Sequence, residues 1–580
     1  MKRRILICAF SVTLGILLVF TVFYFGSAQQ VKAAPSSVTR YVSYSSGSDV
    51  EYCGPWGAAC RTIQWAINLS DFGDSVRVLT GTYDEHITMK DGVSVYGLGW
   101  DLTIIDGGFS GPISTVDMPP GISASTVLSG FKVIRGGWGF ASGGNPNGGG
   151  IRIINSSPTI YNTWVYSCTG NLGGGVYING GAPTFNNVPV WNSLAGAGGG
   201  FYINSGTVTL IGNPLDISSG TVLWNHASAA GGGFYIGNAT VTMIGLHIYG
   251  NSAETAGGID IYDTSNKITL YLNTISANTT ELTGGGGIEA RKSTNLDVFA
   301  NFIGDPIFGG NVSHGDGGGA FILESAGSVR NNWFIGNRAE NGYGGAAAFC
   351  YSSPNLYFSN NWVEGNTAGR DGGGLSLFSN ADPKIDGNTI VSNTARRGAG
   401  IDISEAGMVS VTNNIIARNV SNGPLPTIGG IEVLTTTARI INNTIADNTG
   451  DAVWFQNSHG IVIVNNILYG NSGYSVYGDT SIHTPYYTVG YNDKYANSYD
   501  AYHDVPTGGM DMSVNPQFKT SGDMFNYYHL LRTSPVLTTG YLYWAPYRDI
   551  DRDVRRCLGT VSMGADDLPC SVVYAPSLLR

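Results

Sequence analysis

Residues 198–203 read Gly198-Gly199-Gly200-Phe201-Tyr202-Ile203, three glycines ahead of an apolar–x–apolar triplet. The same figure stands at Gly148-Gly149-Gly150 before Ile151 and at Gly173-Gly174-Gly175 before Val176. Near variants precede Phe234, Ile259, Ile288, Ala320, Ala347, Leu375, Ile401 and Ile431, and the pattern fades at Val453. Successive anchors lie mostly about 25–33 residues apart, the period of a unit that stacks on copies of itself. A single match carries little weight, but a long series in register defines a solenoid.

Asparagine marks each unit a second time. Asn192, Asn225, Asn251, Asn278, Asn337, Asn366 and Asn393 fall shortly before the glycines, and pairs such as Asn331-Asn332, Asn360-Asn361, Asn413-Asn414, Asn442-Asn443 and Asn465-Asn466 form another column. Asparagine tolerates left-handed turns, and stacked amides bond from one coil to the next. Between these marks run short alternating segments with no helical period, such as Thr159-Ile160-Tyr161 and Thr207-Val208-Thr209-Leu210. Several short strands per repeat, stacked on their equivalents, give parallel sheets. With 25 or more residues per turn, three sheets around one core are the natural geometry.

Composition agrees. Of 580 residues 84 are glycine, yet tyrosine, tryptophan, isoleucine and valine are interleaved, so the chain buries enough apolar surface to order itself. A solenoid also escapes the size limit of a compact core, because each repeat adds its own slice. The net charge of −11 is thinly spread, without a basic stripe, which argues against nucleic acid and against an anionic membrane surface.

The N-terminus, Met1-Lys2-Arg3-Arg4 followed by an apolar run from Ile5 to Phe25, has the form of an export signal. Small-residue cleavage sites follow at Gly26-Ser27-Ala28 and Val31-Lys32-Ala33, with the second favoured; an uncleaved anchor is the alternative and the sole membrane contact expected. The expected location is extracellular or at the cell surface. Cysteine usage fits an oxidising compartment: Cys53 and Cys60 flank a short turn, Cys557 and Cys570 bracket the last motif, and Cys168 and Cys350 fall too far apart to bridge and are expected as buried thiols.

The chain resembles the right-handed parallel β-helix proteins of the pectin-lyase-like fold over roughly residues 40–570. Cys60-Arg61-Thr62-Ile63-Gln64-Trp65-Ala66-Ile67 looks like the helix that caps such a solenoid, and Gly73 through Val78 and Val93 through Gly99 look like its first coils. Asn515-Pro516-Gln517-Phe518, Tyr528-His529-Leu530, Ser534-Pro535 and Gly559 through Ala565 resemble the closing module called choice-of-anchor Q, although Thr538 and Ser562-Met563 depart from its pattern. The resemblance implies an all-β, single-stranded parallel β-helix with an N-terminal cap helix. The expected organisation is an export segment at 1–33, cap and first coils at 40–110, glycine-anchored repeats at 111–480, a closing module at 481–570 and a tail at 571–580.

In each triplet the apolar residues face the core, so x is expected to face outward. Down the repeats x reads Arg152, Tyr177, Tyr202, Tyr235, Asp260, Glu289, Phe321, Ala348, Ser376, Asp402, Glu432 and Trp454. Aromatic faces stack on sugars and carboxylates act as acid and base, so Tyr177, Tyr202 and Tyr235, with Asp263 and Lys292 on a flanking column, are candidate glycan contacts, and Asp260, Glu289 and Glu324 candidate catalytic groups. The strings that pectate lyases and polygalacturonases carry are absent; Ser313-His314-Gly315 and Ser458-His459-Gly460 are isolated echoes. No zinc spacing occurs, and the one metal candidate is a calcium site at Asp549-x-Asp551-x-Asp553. The expectation is a monomeric protein that binds extended polysaccharide or cell-surface glycan along one sheet and needs no cofactor. A lyase or glycoside hydrolase in the same groove, and an adhesin or spacer, are the alternatives.

Overall fold

The computed structural model describes residues 37–109, 113–137, 146–352, 355–479, 487–505, 508–519, 527–555 and 559–568. The export segment, Cys557, Cys570, the C-terminal tail and residues 480–486 and 506–507 lie outside the described residues. Every strand pairing along the coils is parallel, and each strand bonds to its equivalent one turn earlier and one turn later, as in Ile259↔Ile288↔Ala320↔Ala347. One turn, from Ile259, runs through strands Ile259–Tyr262, Ile268–Tyr271, Thr274–Ser276 and Thr279–Thr283. Stacking them produces three sheets of 31, 16 and 9 strands. The largest contains two rows, fused where Phe201–Ile211 and Phe234–Ile244 run unbroken through the corner between them.

The core is filled by like residues at equivalent positions. Phe201 and Phe234, one turn apart, stack with centroids 4.8 Å apart. The N-terminal end is closed by helix Ile63–Leu69, whose Ile63, Ala66 and Ile67 are buried. Its first N–H groups, from Ile63 and Gln64, donate to the Glu85 carboxylate at 2.9 Å, an acid at the positive end of the helix. Cys53 and Cys60 form the expected local disulfide, while Cys168 and Cys350 are buried free thiols.

The asparagine columns are two ladders inside the wall. One runs from Asn225 through Asn251, Asn278, Asn311, Asn337 and onward to Asn497; the other runs from Asn273 through Asn301, Asn332 and onward to Asn492. Each amide nitrogen donates to the Oδ1 of the next asparagine, as Asn278 does to Asn311 at 2.9 Å, and to a backbone carbonyl of the preceding turn, here Ile248. Each Oδ1 also accepts the previous asparagine's backbone N–H. Buried amides are thus satisfied on every side, which removes the cost of enclosing them. The ladders finish on carboxylates: Asn497 bonds Asp500, and the Asn492 N–H bonds Asp511.

In an Asn-Asn pair the two members do different jobs. Asn331 is exposed at a φ of 55°, turning the corner, whereas Asn332 is a ladder rung. Asn192, read from sequence as a ladder residue, is a corner residue of the same kind; Ser193 holds the buried position and donates its N–H to Asn225. The glycine string answers to these ladders too. A Cβ on Gly258 would meet the Asn278 amide nitrogen at 3.2 Å and the Gly287 carbonyl more closely still.

Beyond Tyr499–His503 the chain turns back along the outside of the 16-stranded sheet. Tyr528 and Ala565 pack on Trp362, Ile415 and Ala446, and Leu530, Val536 and Met563 pack on Ile467. Corner asparagines hold this segment: Asn413 receives the buried Arg555 guanidinium at 3.0 Å, Asn442 donates to the Ser562 carbonyl, and Asn465 bonds the Tyr541 backbone in both directions.

Candidate functional site

Strand register places the x residues in one continuous column: Asp117, Arg152, Tyr177, Tyr202, Tyr235, Asp260, Glu289, Phe321 and onward to Trp454. At its N-terminal end lies a cleft of about 350 Å³ lined by His86, Thr88, Asp117, Asn147 and Arg152. Arg152 bonds Asp117 there at 2.9 Å.

The three tyrosines form the expected row, but their faces are spent on one another. Tyr202 and Tyr235 stack at 4.6 Å and 7°, and Tyr177 and Tyr202 at 5.7 Å and 19°. Side chains stand roughly perpendicular to a sheet, so half-buried Tyr202 and Tyr235 present ring edges and hydroxyls instead of ring faces, while Tyr177 is buried. Burial and the neighbouring phenol push the Tyr235 hydroxyl well above its ordinary range, so it remains a neutral donor.

The expectation that the whole column faces solvent needs correction. Asp260 and Glu289 are almost completely enclosed, as are Ala348, Ser376, Asp402 and Glu432, and the expected glycan contact Tyr177 and the column's last member Trp454 are buried too. At Ser376 and Asp402 the glycine string contributes to the enclosure. Its first member, at positive φ, folds the backbone over the column: a Cβ on Gly372 would stand 2.7 Å from Ser376 Cβ, and one on Gly398 3.1 Å from Asp402 Cβ.

Asp260 and Glu289 are register neighbours beneath Arg291. Arg291 Nη2 donates to Asp260 Oδ2 at 2.8 Å, and its Nε lies 3.1 Å from Glu289 Oε1, in ion-pair contact but off hydrogen-bond alignment. Burial raises both carboxyls; for Glu289 the Asp260 charge adds to it, and Arg291 opposes the shift at each. The pair therefore retains a proton near neutral pH. Arg291 is a quarter exposed and lies over the Tyr262 ring, so it is the member of the cluster that a ligand meets. Two residues after Glu289 on one strand, Arg291 shares its face by simple alternation, a signal present in the sequence.

Five rungs further, roughly 24 Å at strand spacing, the arrangement recurs. Asp402 and Glu432 are neighbours, Arg397 Nη2 lies 3.0 Å from Glu432 Oε1, and Ser376 Oγ donates to Asp402 at 2.7 Å. Arg397 lies over the Trp454 ring as Arg291 lies over Tyr262.

Asp263, Lys292 and Glu324 occupy an exposed corner at φ of 49°, 51° and 48°. Among the described residues no ion pair or hydrogen bond joins them to the buried pair, so the five-residue patch expected from sequence divides into an enclosed cluster and a solvated corner. The alternating aspartates divide as well. Asp549 turns inward and accepts the N–H groups of Asp553 and Asp567, whereas Asp551 points toward His529.

Register, sheets and core define an all-β, right-handed parallel β-helix repeat protein. Residues 276–427 match the protein-family model described as a right handed beta helix region. No curated protein matches the sequence. Among solved structures, the A-module of the mannuronan C-5 epimerase AlgE6 of Azotobacter vinelandii is similar over 78% of this chain and 95% of its own, at 15% identity and a TM-score of 0.31. The GH136 lacto-N-biosidase of Eubacterium ramulus is similar over 66% of this chain and 64% of its own, at 11% identity and a TM-score of 0.29. The alginate lyase AlyF-OU02, solved with G6, is similar over 80% and 86%, at 11% identity and a TM-score of 0.28.

Proposed function

We propose that this protein works outside the cytosol and binds an extended polysaccharide along the column from the Asp117–Arg152 cleft, over the tyrosine row, to Arg291. The observation that carries the reading is the Tyr202–Tyr235 stack, continued inward by the buried Tyr177 and repeated at the rung spacing, about 4.8 Å. Such a stack suits a chain of hydroxyl-bearing rings, and its ring edges offer apolar contact between the hydrogen bonds. The basic, apolar N-terminus and the Cys53–Cys60 disulfide support the location.

A second reading, acid–base cleavage of that polysaccharide, draws on the Asp260–Glu289 pair, which shares a proton within one rung of Tyr235. A substrate has to displace Arg291 to reach it, so binding is the leading reading.

Affinity electrophoresis against plant and bacterial polysaccharides tests both. Retention by one polysaccharide that weakens roughly tenfold in Tyr202→Ala supports binding. New reducing ends or unsaturated products that vanish in Glu289→Gln support cleavage. Neither retention nor products across the panel leaves the column as scaffold and favours an adhesin or spacer.

A further inference from the structure

The closing segment carries a cluster that the glycan column does not use. His529, Asp551 and Asp566 come from three separate stretches, and one candidate ligand atom from each lies within 4.8 Å of the other two. Backbone pairing assembles them. The Leu530 N–H, next to His529, donates to Asp566 Oδ2 at 2.7 Å, and the Ile550 N–H, next to Asp551, donates to the Ala565 carbonyl, next to Asp566.

His529 is only 3% exposed, yet neither ring nitrogen has a hydrogen-bond partner. Its Nε2 faces Asp551 Oδ2 at 3.4 Å, a distance for an ion pair without hydrogen-bond geometry. Buried imidazole nitrogens are ordinarily satisfied. An enclosed, unbonded imidazole directed at two carboxylates has the donor set of a metal centre. Asp551 is 40% exposed, which leaves one side open to solvent.

We propose that His529, Asp551 and Asp566 bind a divalent transition-metal ion of the zinc class, one ligand atom each, with solvent completing the shell beside Asp551. Imidazole selects such ions over calcium and magnesium, which prefer all-oxygen shells. Zinc holds nitrogen and carboxylate ligands at about 2.0–2.2 Å, so the three ligand atoms draw in around the ion from separations of up to 4.8 Å. The ion would tie three stretches of the closing segment to one another where Leu530 and Ala565 pack on the solenoid wall.

The competing arrangement is metal-free, with a protonated His529 between the two carboxylates and Lys519 nearby. Calorimetric titration of the chelator-stripped full chain with zinc chloride separates the two, with melting curves recorded alongside. The proposal expects one equivalent bound at micromolar zinc and a higher melting temperature. It also expects at least a tenfold loss of affinity in Asp551→Asn, whose half-exposed side chain leaves folding intact, and no change in Asp553→Asn. Cobalt in place of zinc should give visible absorption bands that His529→Gln alters. No binding at micromolar zinc by a natively folded chain overturns the site, as does binding that Asp551→Asn leaves unchanged.

Discussion

Glu432 shows what enclosure does to a single acid. Neither carboxylate oxygen has a hydrogen bond, and burial, then the Asp402 charge, push it up to about 8 against the pull of Arg397. Unfolded glutamate titrates near about 4.3, so between these values the native state holds a proton that the unfolded chain has lost. The contribution is therefore present in full at acid pH and disappears as pH rises through about 8. Glu432→Gln should melt a few degrees above the parent at pH 8 and converge with it near about pH 4, read by calorimetry across that range. A variant less stable at pH 8 would mean that Glu432 is ionised and held by Arg397. The identity of this residue and its place in the column were legible in the sequence. Its burial was not, because alternation tells which face of the strand it occupies and not what packs over that face. Arg291 was legible by position and Arg397 was not, since Arg397 reaches Glu432 from a turn.

At the level of the repeated element, Asn331 and Asn332 are the sharpest contrast available. Asn332 accepts the backbone N–H and the amide of Asn301, and donates to the Val298 carbonyl and to Asn361. Asn332→Ala orphans several of these groups at about 1–3 kcal/mol each, whereas Asn331→Ala pays only for a left-handed corner, about 1–2 kcal/mol at most. Urea denaturation should therefore separate two neighbouring substitutions of one residue type by several kcal/mol, and equal losses would remove the ladder from the account of stability. Sequence marks the asparagine columns but does not say which member of a pair turns inward; at Asn192-Ser193 the inward place is not held by asparagine at all. The docking role of Asn413, Asn442 and Asn465 was equally hidden, because their partners follow far along the chain, in Arg555, Ser562 and Tyr541.

The molecule as a whole behaves as a one-dimensional stack, in which each turn contacts its neighbours. Ala320 and Ala347 are register equivalents, so deleting residues 320–346 removes one complete turn and brings Asn301 onto Asn361 and Asn311 onto Asn366. That chain should keep a β-sheet circular dichroism spectrum and a single cooperative melt, whereas deleting 331–346 alone should not. Similar behaviour in both deletions would contradict the stack. The groups that finish the ladders bear on the same architecture. Every side-chain bond of the ladders runs one way, from an amide nitrogen to the Oδ1 of the asparagine in the following turn. At that end the Asn497 amide donates to Asp500, and Asn492 donates its backbone N–H to Asp511 and its amide to the Tyr502 hydroxyl. The side-chain chain thus has a direction and a terminus: beyond Asn492 and Asn497 it passes to a tyrosine and a carboxylate, so no further asparagine rung follows among the described residues.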